Sequence, residues 1–284
     1  MQSTSGFSAH KHRAGAWDTR YASAYHPLTY GIWRFVSYKR RMVHRVAATV
    51  HAGDRVLDLG CGKGAYAHWF LTRTSAYIIA LDVAFEAVRN IPPPPRGVIV
   101  RVCADARKLP FKDEAFKAAY SIDTLGHVAD HNAVLGELAR TVREQSYVFV
   151  HSECADYRSR WPDAMLIELL GKDVLAEQDG HINMQRSAEL AHTLARHFSV
   201  IDFFSPAGYL GWLLGYPEKY RIAFERAGKY AFCALTAVFA KVKHHPLAGP
   251  VLRTVNALTN HVELLTGRRG GGSCFAWCKK TCRK

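Results

Sequence analysis

The segment Arg55-Val-Leu-Asp-Leu-Gly-Cys-Gly-Lys-Gly64 constrains this chain more than any other stretch of it. A short, mostly apolar run ends in three glycines spaced two apart, and helical character starts at Ala65. A strand without polar alternation must be buried on both faces, which is the habit of parallel sheets. Glycines at its end let the backbone turn sharply and approach a ligand closely. The helix that follows then presents N–H groups that no helical carbonyl takes.

The rest of the chain repeats that alternation. The pattern predicts strands at 77–81, 98–103, 118–122 and 147–150, with helices at 65–72, 84–90 and 133–143. Pro92 to Pro95 must end the helix before them. Beyond residue 152 the pattern changes. Helices are expected at 163–170 and 187–197, the second with Leu190 and Leu194 four apart on one face. A sixth strand is expected at 200–204, a mostly helical stretch at about 208–266, and a seventh strand at 274–278 after the run Gly270 to Gly272. The expected architecture is α/β, a Rossmann-like, mostly parallel sheet with helices on both faces and a helical insert or lid. Residues 1–50 read as an N-terminal helical lid or arm, 51–205 as the core, 206–272 as an insert shaping an acceptor site, and 273–284 as the last strand and tail.

Charge separates the ends from the middle. The formal net charge is +14. Residues 1–50 hold eight Lys/Arg and one acid, residues 241–284 hold nine and one, and the stretch between holds 21 bases and 22 acids. Basic ends suit an anionic partner, whether nucleic acid, an acidic membrane surface or a phosphorylated substrate, and they also serve solubility. No apolar run reaches 18 residues, so no spanning helix is expected; the longest, 230–240, is interrupted by Thr236 and reads as a buried or interfacial helix. Residues 1–13 are polar and lack the apolar core of a signal peptide. The seven cysteines form no C-x-x-C pair, and Cys274, Cys278 and Cys282 follow at a spacing of four, unlike a usual zinc pattern. The expectations are therefore no metal, a strand-packing role for those cysteines, and a reducing cytoplasm with peripheral membrane contact.

The chemistry lies in D-x-G-x-G-x-G, Asp58 to Gly64. Asp82 ends the second strand 18 residues past Gly64, where a carboxylate can accept from both hydroxyls of a ribose. Dinucleotides favour G-x-G-x-x-G. Here an acid stands just before the glycines, where it would repel a pyrophosphate and suit an ammonium group. Asp105 adds a third acid at the end of the third strand.

With these residues the chain resembles the class I S-adenosylmethionine-dependent methyltransferases, close to their small-molecule group. The resemblance rests on Val56 to Gly64, Leu81-Asp82, Ala104-Asp105-Ala-Arg-Lys-Leu-Pro-Phe111 and Ser121-Ile-Asp-Thr-Leu-Gly-His-Val128. It covers about 54–152 well, and 180–204 and 273–280 more loosely. It implies a seven-stranded sheet with the last strand antiparallel and S-adenosylmethionine as cofactor. Gly60, Gly62 and Gly64 would lie under that cofactor, with Asp58 toward its ammonium group. Asp82, with Val83 beside it, would bind the ribose, and Asp105 with the backbone at Ala106 would hold the adenine. Tyr21, with Trp17, Tyr25 and Tyr30, would fold as a lid or pack on the sheet. Two departures stand out. Arg143-Glu-Gln-Ser146 replaces a Pro-Gly-Gly turn before strand five, and Gly126-His127 replaces a pair of adjacent histidines.

His127 follows strand four at the carboxyl end of the sheet, where such folds bind ligands. His151 and Glu153, just after strand five, share that rim. All three are candidates for a general base, since a hydroxyl or carbon acceptor must shed a proton; each could instead cap or pack. The expected reaction is methyl transfer to an oxygen, nitrogen or carbon atom of a small molecule, hydrophobic or anionic. The alternative is an RNA or other nucleic-acid methyltransferase using the basic ends. Against it, neither an Asn-Pro-Pro-Tyr motif after strand four nor a Pro-Cys nucleophile occurs.

Overall fold

The strands that are apolar along their whole length become the middle of a sheet covered on both sides. The computed structural model describes residues 38–94, 96–205, 217–249, 251, 254–255, 258 and 271–281. Strands β1 (Arg55–Leu59), β2 (Tyr77–Asp82), β3 (Val98–Cys103), β4 (Phe116–Ile122), β5 (Val142–Glu153), β6 (Ser199–Phe204) and β7 (Ser273–Lys279) form one sheet in the order β3-β2-β1-β4-β5-β7-β6. The first five are parallel. β7 runs antiparallel between β5 and β6.

The period of two along each strand divides the core in two layers. Val56, Ile78, Ala118, Tyr120, Phe149 and Trp277 enter one layer. Leu57, Leu59, Leu81, Ala119, Val148 and Val150 enter the other. Helices α1 (Tyr38–Ala47) and α2 (Ala65–Leu71) cover the first layer, and α4 (His131–Thr141) and α7 (Ser187–Ala195) cover the second. The short α3 (Phe85–Arg89) packs beside β2 and β3.

Three differences from the sequence reading have physical causes. The boundary drawn at residue 50 cuts through a packed layer, because α1 buries Met42, Val43, Val46 and Ala47 in the core. At about 1.5–3 kcal/mol for each large apolar side chain buried, α1 is part of what holds the sheet. Second, β5 begins at Val142, where the helical pattern was still running. Val142 is fully buried and pairs with Phe116, so cross-strand pairing overrides the local period. The irregular register between Phe116 and Ala118 absorbs the exposed residues 143–145. Third, α6 (Val174–Asp179) went unforeseen; the Asp173 carboxylate caps it by accepting from Ala176 N (3.0 Å), and Gly180 closes it in the left-handed region.

Two insertions share a second small core. The first, after β5, carries α5 (Asp163–Leu170) and α6; the second, after β6, carries α8 (Pro217–Arg226) and α9 (Tyr230–His244). Leu166 and Val174 from one meet Tyr220, Ala223 and Phe224 from the other. The Tyr220 hydroxyl donates to Asp163 Oδ1 at 2.8 Å. No helix among the described residues is long and apolar enough to cross a membrane.

Candidate functional site

Strand order reverses between β1 and β4, and connections leave that point in opposite directions, opening a crevice at the carboxyl ends of the strands. The glycine loop lies there. Gly60, Gly62 and Gly64 all have positive φ, at 76°, 51° and 75°. A side chain at Gly60 would put its Cβ 2.0 Å from Thr124 Oγ1, and one at Gly64 would meet Ile91 at 2.8 Å. The loop is tied to the end of β2: Gly60 N and Cys61 N donate to the Leu81 carbonyl (2.8 and 3.0 Å), and Gly62 N donates to Asp82 Oδ2 (2.8 Å).

The three acids have distinct surroundings. Asp82 accepts from Gly62 N with one oxygen and from Ala84 N with the other (2.9 Å), so it shapes the loop and the entry to α3 together. Asp58 lies beneath the loop, almost wholly buried, and accepts from the Tyr120 hydroxyl at 3.1 Å. Burial pushes its pKa up to about 8, the Tyr120 bond opposes that, and the charge of Asp82 adds to it. Asp105 accepts from Arg107 N (2.9 Å) and takes the Arg107 guanidinium in a two-pronged pair, Nε at 3.1 Å and Nη2 at 2.7 Å. Ala104 N donates to the Asp82 carbonyl, so Asp82, half-buried Val83, Asp105 and Ala106 come together at adjacent strand ends. Tyr21 and its aromatic neighbours lie outside the described residues.

A second cluster adjoins the loop through Thr124. Asp123 leaves β4 with φ 58°, a costly conformation for a residue other than glycine. Its carboxylate meets Lys39 Nζ (2.7 Å to Oδ1) and lies 2.8 Å from His151 Nδ1. Burial works against its charge, yet Lys39 and then His151 hold its pKa well below the usual range. Burial, and then the charge of Asp123, push Glu153 well above its range. Burial and the nearby Lys39 lower the pKa of His151, and the charge of Asp123 opposes them. The 2.8 Å approach to Asp123 lacks hydrogen-bond alignment, and both His151 ring nitrogens are buried without such a bond among the described residues.

The cap adds a further imidazole. His181 Nε2 lies 3.7 Å from Glu153 Oε2, and its ring centroid lies 4.6 Å from that of His127. Burial, and then the charge His127 can carry, lower His181 to about 4. A Cβ at Gly126 would stand 3.0 Å from the His181 ring. A histidine from the first insertion thus packs against Gly126.

The structure thus brings His151 and Glu153 to Asp123, and His127 to the His181 ring beside Glu153, with two corrections. His151 and Glu153 are members of β5 and do not follow it, because the strand runs on to pair with β7. His151 is completely buried beside Asp123, so it does not line the open rim. Asp123 stands in a motif the sequence displayed, yet only its position at the strand end marks it. Lys39, 84 residues away, and His181 carry no local signal at all.

Residues 57–150 match a family model described as a methyltransferase domain. Over that segment the chain is similar to methyltransferases. Over 104 residues it is 36% identical to methyltransferase GfsG of Streptomyces halstedii, covering 33% of this chain and 36% of that one. Over 132 residues it is 29% identical to O-methyltransferase resE of Aspergillus sclerotiorum, covering 44% and 50%. The chain therefore spans half or less of the length of these curated relatives. Among solved structures, the [4+2]-cyclase SpnF superposes with a TM-score of 0.53 at 16% identity, covering 86% of this chain and 81% of that one. Geranyl diphosphate C-methyltransferase from Streptomyces coelicolor A3(2), in complex with Mg2+, geranyl diphosphate and S-adenosyl-L-homocysteine, gives 0.53 at 13% identity, covering 87% and 80%. Those likenesses establish the fold of the domain; activity must be argued from the site.

The site fits S-adenosylmethionine, the cofactor that the resemblance implies, on the structure's own terms. A loop where a Cβ at Gly60 or Gly64 would clash, a buried carboxyl beneath it, and a carboxylate at the end of β2 are the groups that a sulfonium amino acid joined to a nucleoside would use.

Proposed function

We propose that this chain transfers the methyl group of S-adenosylmethionine to a small-molecule acceptor, at an oxygen, nitrogen or carbon atom. The observation that carries this reading is the contact between the two clusters: Thr124, lodged against Gly60, is the neighbour of Asp123. When bound, S-adenosylmethionine supplies an electrophilic methyl on a sulfonium. The residues do the rest. The glycine loop admits the ligand, Asp58 faces its ammonium, Asp82 and Val83 take the ribose, and Asp105 with Ala106 takes the adenine. Asp123, held ionised by Lys39 and His151, orients the polar atom of the acceptor. His127, partly exposed at the rim, removes the proton, while Glu153 and His181 close the cluster behind it.

Calorimetry on the full chain tests the cofactor half. S-adenosylhomocysteine should bind with a micromolar Kd, on the order of −8 kcal/mol, and tighter binding of NAD would overturn the assignment. Transfer of labelled methyl to a panel of hydroxylated, apolar small molecules tests the other half. His127→Ala should slow it roughly 10²–10⁴-fold with cofactor affinity unchanged; near-full activity would move the base to another member of the cluster.

A specific feature favours a finer reading, a cytoplasmic enzyme in peripheral contact with an anionic membrane. On α9, Tyr230, Leu235 and Val238 are exposed, and the helix ends in Lys241 and Lys243. Apolar residues beside cations suit the interface of an acidic bilayer. Sedimentation with anionic vesicles should then weaken as salt screens the attraction. Salt-sensitive retention of RNA in place of vesicles would favour the nucleic-acid alternative instead.

A further inference from the structure

Three side chains that can carry negative charge converge next to the cluster described above, one residue beyond Glu153. Cys154 follows β5, Asp156 lies in the short helical turn Ala155–Ser159, and Cys274 sits in β7. Their Sγ, carboxylate and Sγ atoms all lie within 4.8 Å of one another. Both cysteines are almost completely buried, and all six described cysteines are thiols. The partner of Cys274 is therefore not Cys278, four residues on, but a cysteine more than a hundred residues earlier.

The surroundings hold this arrangement in place. Cys154 N donates to the Gly272 carbonyl at 3.0 Å, and the Cys154 thiol points at the Gly271 carbonyl at 2.9 Å. Ser187 N donates to Asp156 Oδ2 at 2.8 Å, which orients the carboxylate. Ser205 Oγ accepts from Gly271 N and stands 3.9 Å from Cys154 Sγ. Two soft sulfur donors and one carboxylate make a ligand set for a borderline-soft divalent cation. Zinc bonds of about 2.0–2.3 Å place tetrahedral donors about 3.4–3.8 Å apart, and the present three lie within 4.8 Å of one another. One tetrahedral position is left for an oxygen donor, and the Gly271 carbonyl lies beside it.

We propose that Cys154, Asp156 and Cys274 form a zinc site that clips the return of the second insertion to the end of β5. Binding would release the thiol protons to solvent and leave two thiolates on the metal, with no change of oxidation state. A clip of this kind has a structural rationale: Gly271 and Gly272 connect the second insertion to β7, and β7 is the strand that bridges β5 and β6.

The test uses the full chain, purified in reductant without chelator. Zinc analysis should find about one ion per chain, absent from Cys154→Ser and Cys274→Ser and reduced in Asp156→Asn. Cys233→Ser, altered on α9, should keep it. Cobalt added to the metal-free protein should give thiolate-to-cobalt charge-transfer absorption, which reads the site in the wild type even where a serine variant fails to fold. A folded, reduced wild type with neither zinc nor that absorption overturns the proposal. So does a Cys154–Cys274 disulfide in a protein that, once reduced, takes up no metal.

Discussion

The proposed cofactor cradle and the proposed acceptor cluster adjoin each other and are built in different ways. The cradle is mostly backbone: residues 58–64 and 82–84 arrange N–H groups, carbonyls and glycine dihedrals over short sequence distances, and Asp82 locks the parts together. The cluster is side chains: Lys39 from α1, Asp123 from the end of β4, His151 and Glu153 from β5, His181 from the first insertion. Backbone geometry tolerates little change, since a turn that needs positive φ fails with the wrong residue. A network of charges degrades more gradually, because each member biases the protonation of the others.

The sharpest break in that comparison is at Gly60. Gly60→Val places carbons where Thr124 stands and puts a branched residue at φ 76°. Affinity for S-adenosylhomocysteine should fall at least about 100-fold, or roughly 2.7 kcal/mol, with the circular dichroism of the sheet preserved. A variant that binds normally would mean the loop is not the cradle.

Next in size is Asp123. Asp123→Asn keeps the shape but removes the charge that Lys39 and His151 stabilise. Turnover should drop about 10²-fold, within the range for a displaced acid–base group, while cofactor affinity moves little. Glu153 would also lose the negative neighbour that raises its pKa, so the acid limb of the pH–rate profile should shift to lower pH. A change in cofactor affinity as large as the change in turnover would show that the two regions are one.

Asp58 gives a smaller effect that stability measurements can resolve. Its pKa is raised in the folded chain, to about 8 from 3.8. The folded state thus binds more protons than the unfolded state between those values, and stability falls as pH rises through that window. Asp58→Asn should flatten that part of the Tm–pH curve and raise Tm at pH 8. In the wild type, an ammonium placed against Asp58 lowers its pKa, so cofactor binding at pH 7 should release protons, seen by calorimetry in buffers of different ionisation enthalpy. Uptake of protons would place the ammonium elsewhere.

Arg107→Ala should matter least. The Asp105–Arg107 pair is about one-third exposed on each side, and such pairs contribute about 0.5 kcal/mol, or roughly a twofold weakening of cofactor binding. A loss of tenfold or more would make Arg107 a direct ligand contact.

How much of this was legible follows the same division. The expected strands at 55–59 and 98–103 coincide with β1 and β3, and the other five differ at their ends, because an apolar run between glycines or prolines is a local signal. The glycines, Asp58, Asp82 and Asp105 were legible for the same reason: turn chemistry and strand ends lie within a few residues of each other. The length of β5 was not, because Val142 becomes a strand residue only by pairing with Phe116. Nor was the meeting of Cys154 with Cys274, which depends on β7 lying against β5.

By itself the sequence determined the alternation of elements, the buried strands, the glycine turn and the acids beside it, since dihedral preference and hydrophobic period act over a few residues. Only the tertiary structure decided that α1 belongs to the core, that two separate insertions share one cap, and that Lys39, Asp123, His151, Glu153 and His181 form one charged cluster. The reason is physical: Coulomb and packing energies depend on distance in space, and nothing in the local pattern of Lys39 or His181 records which residue they will stand beside.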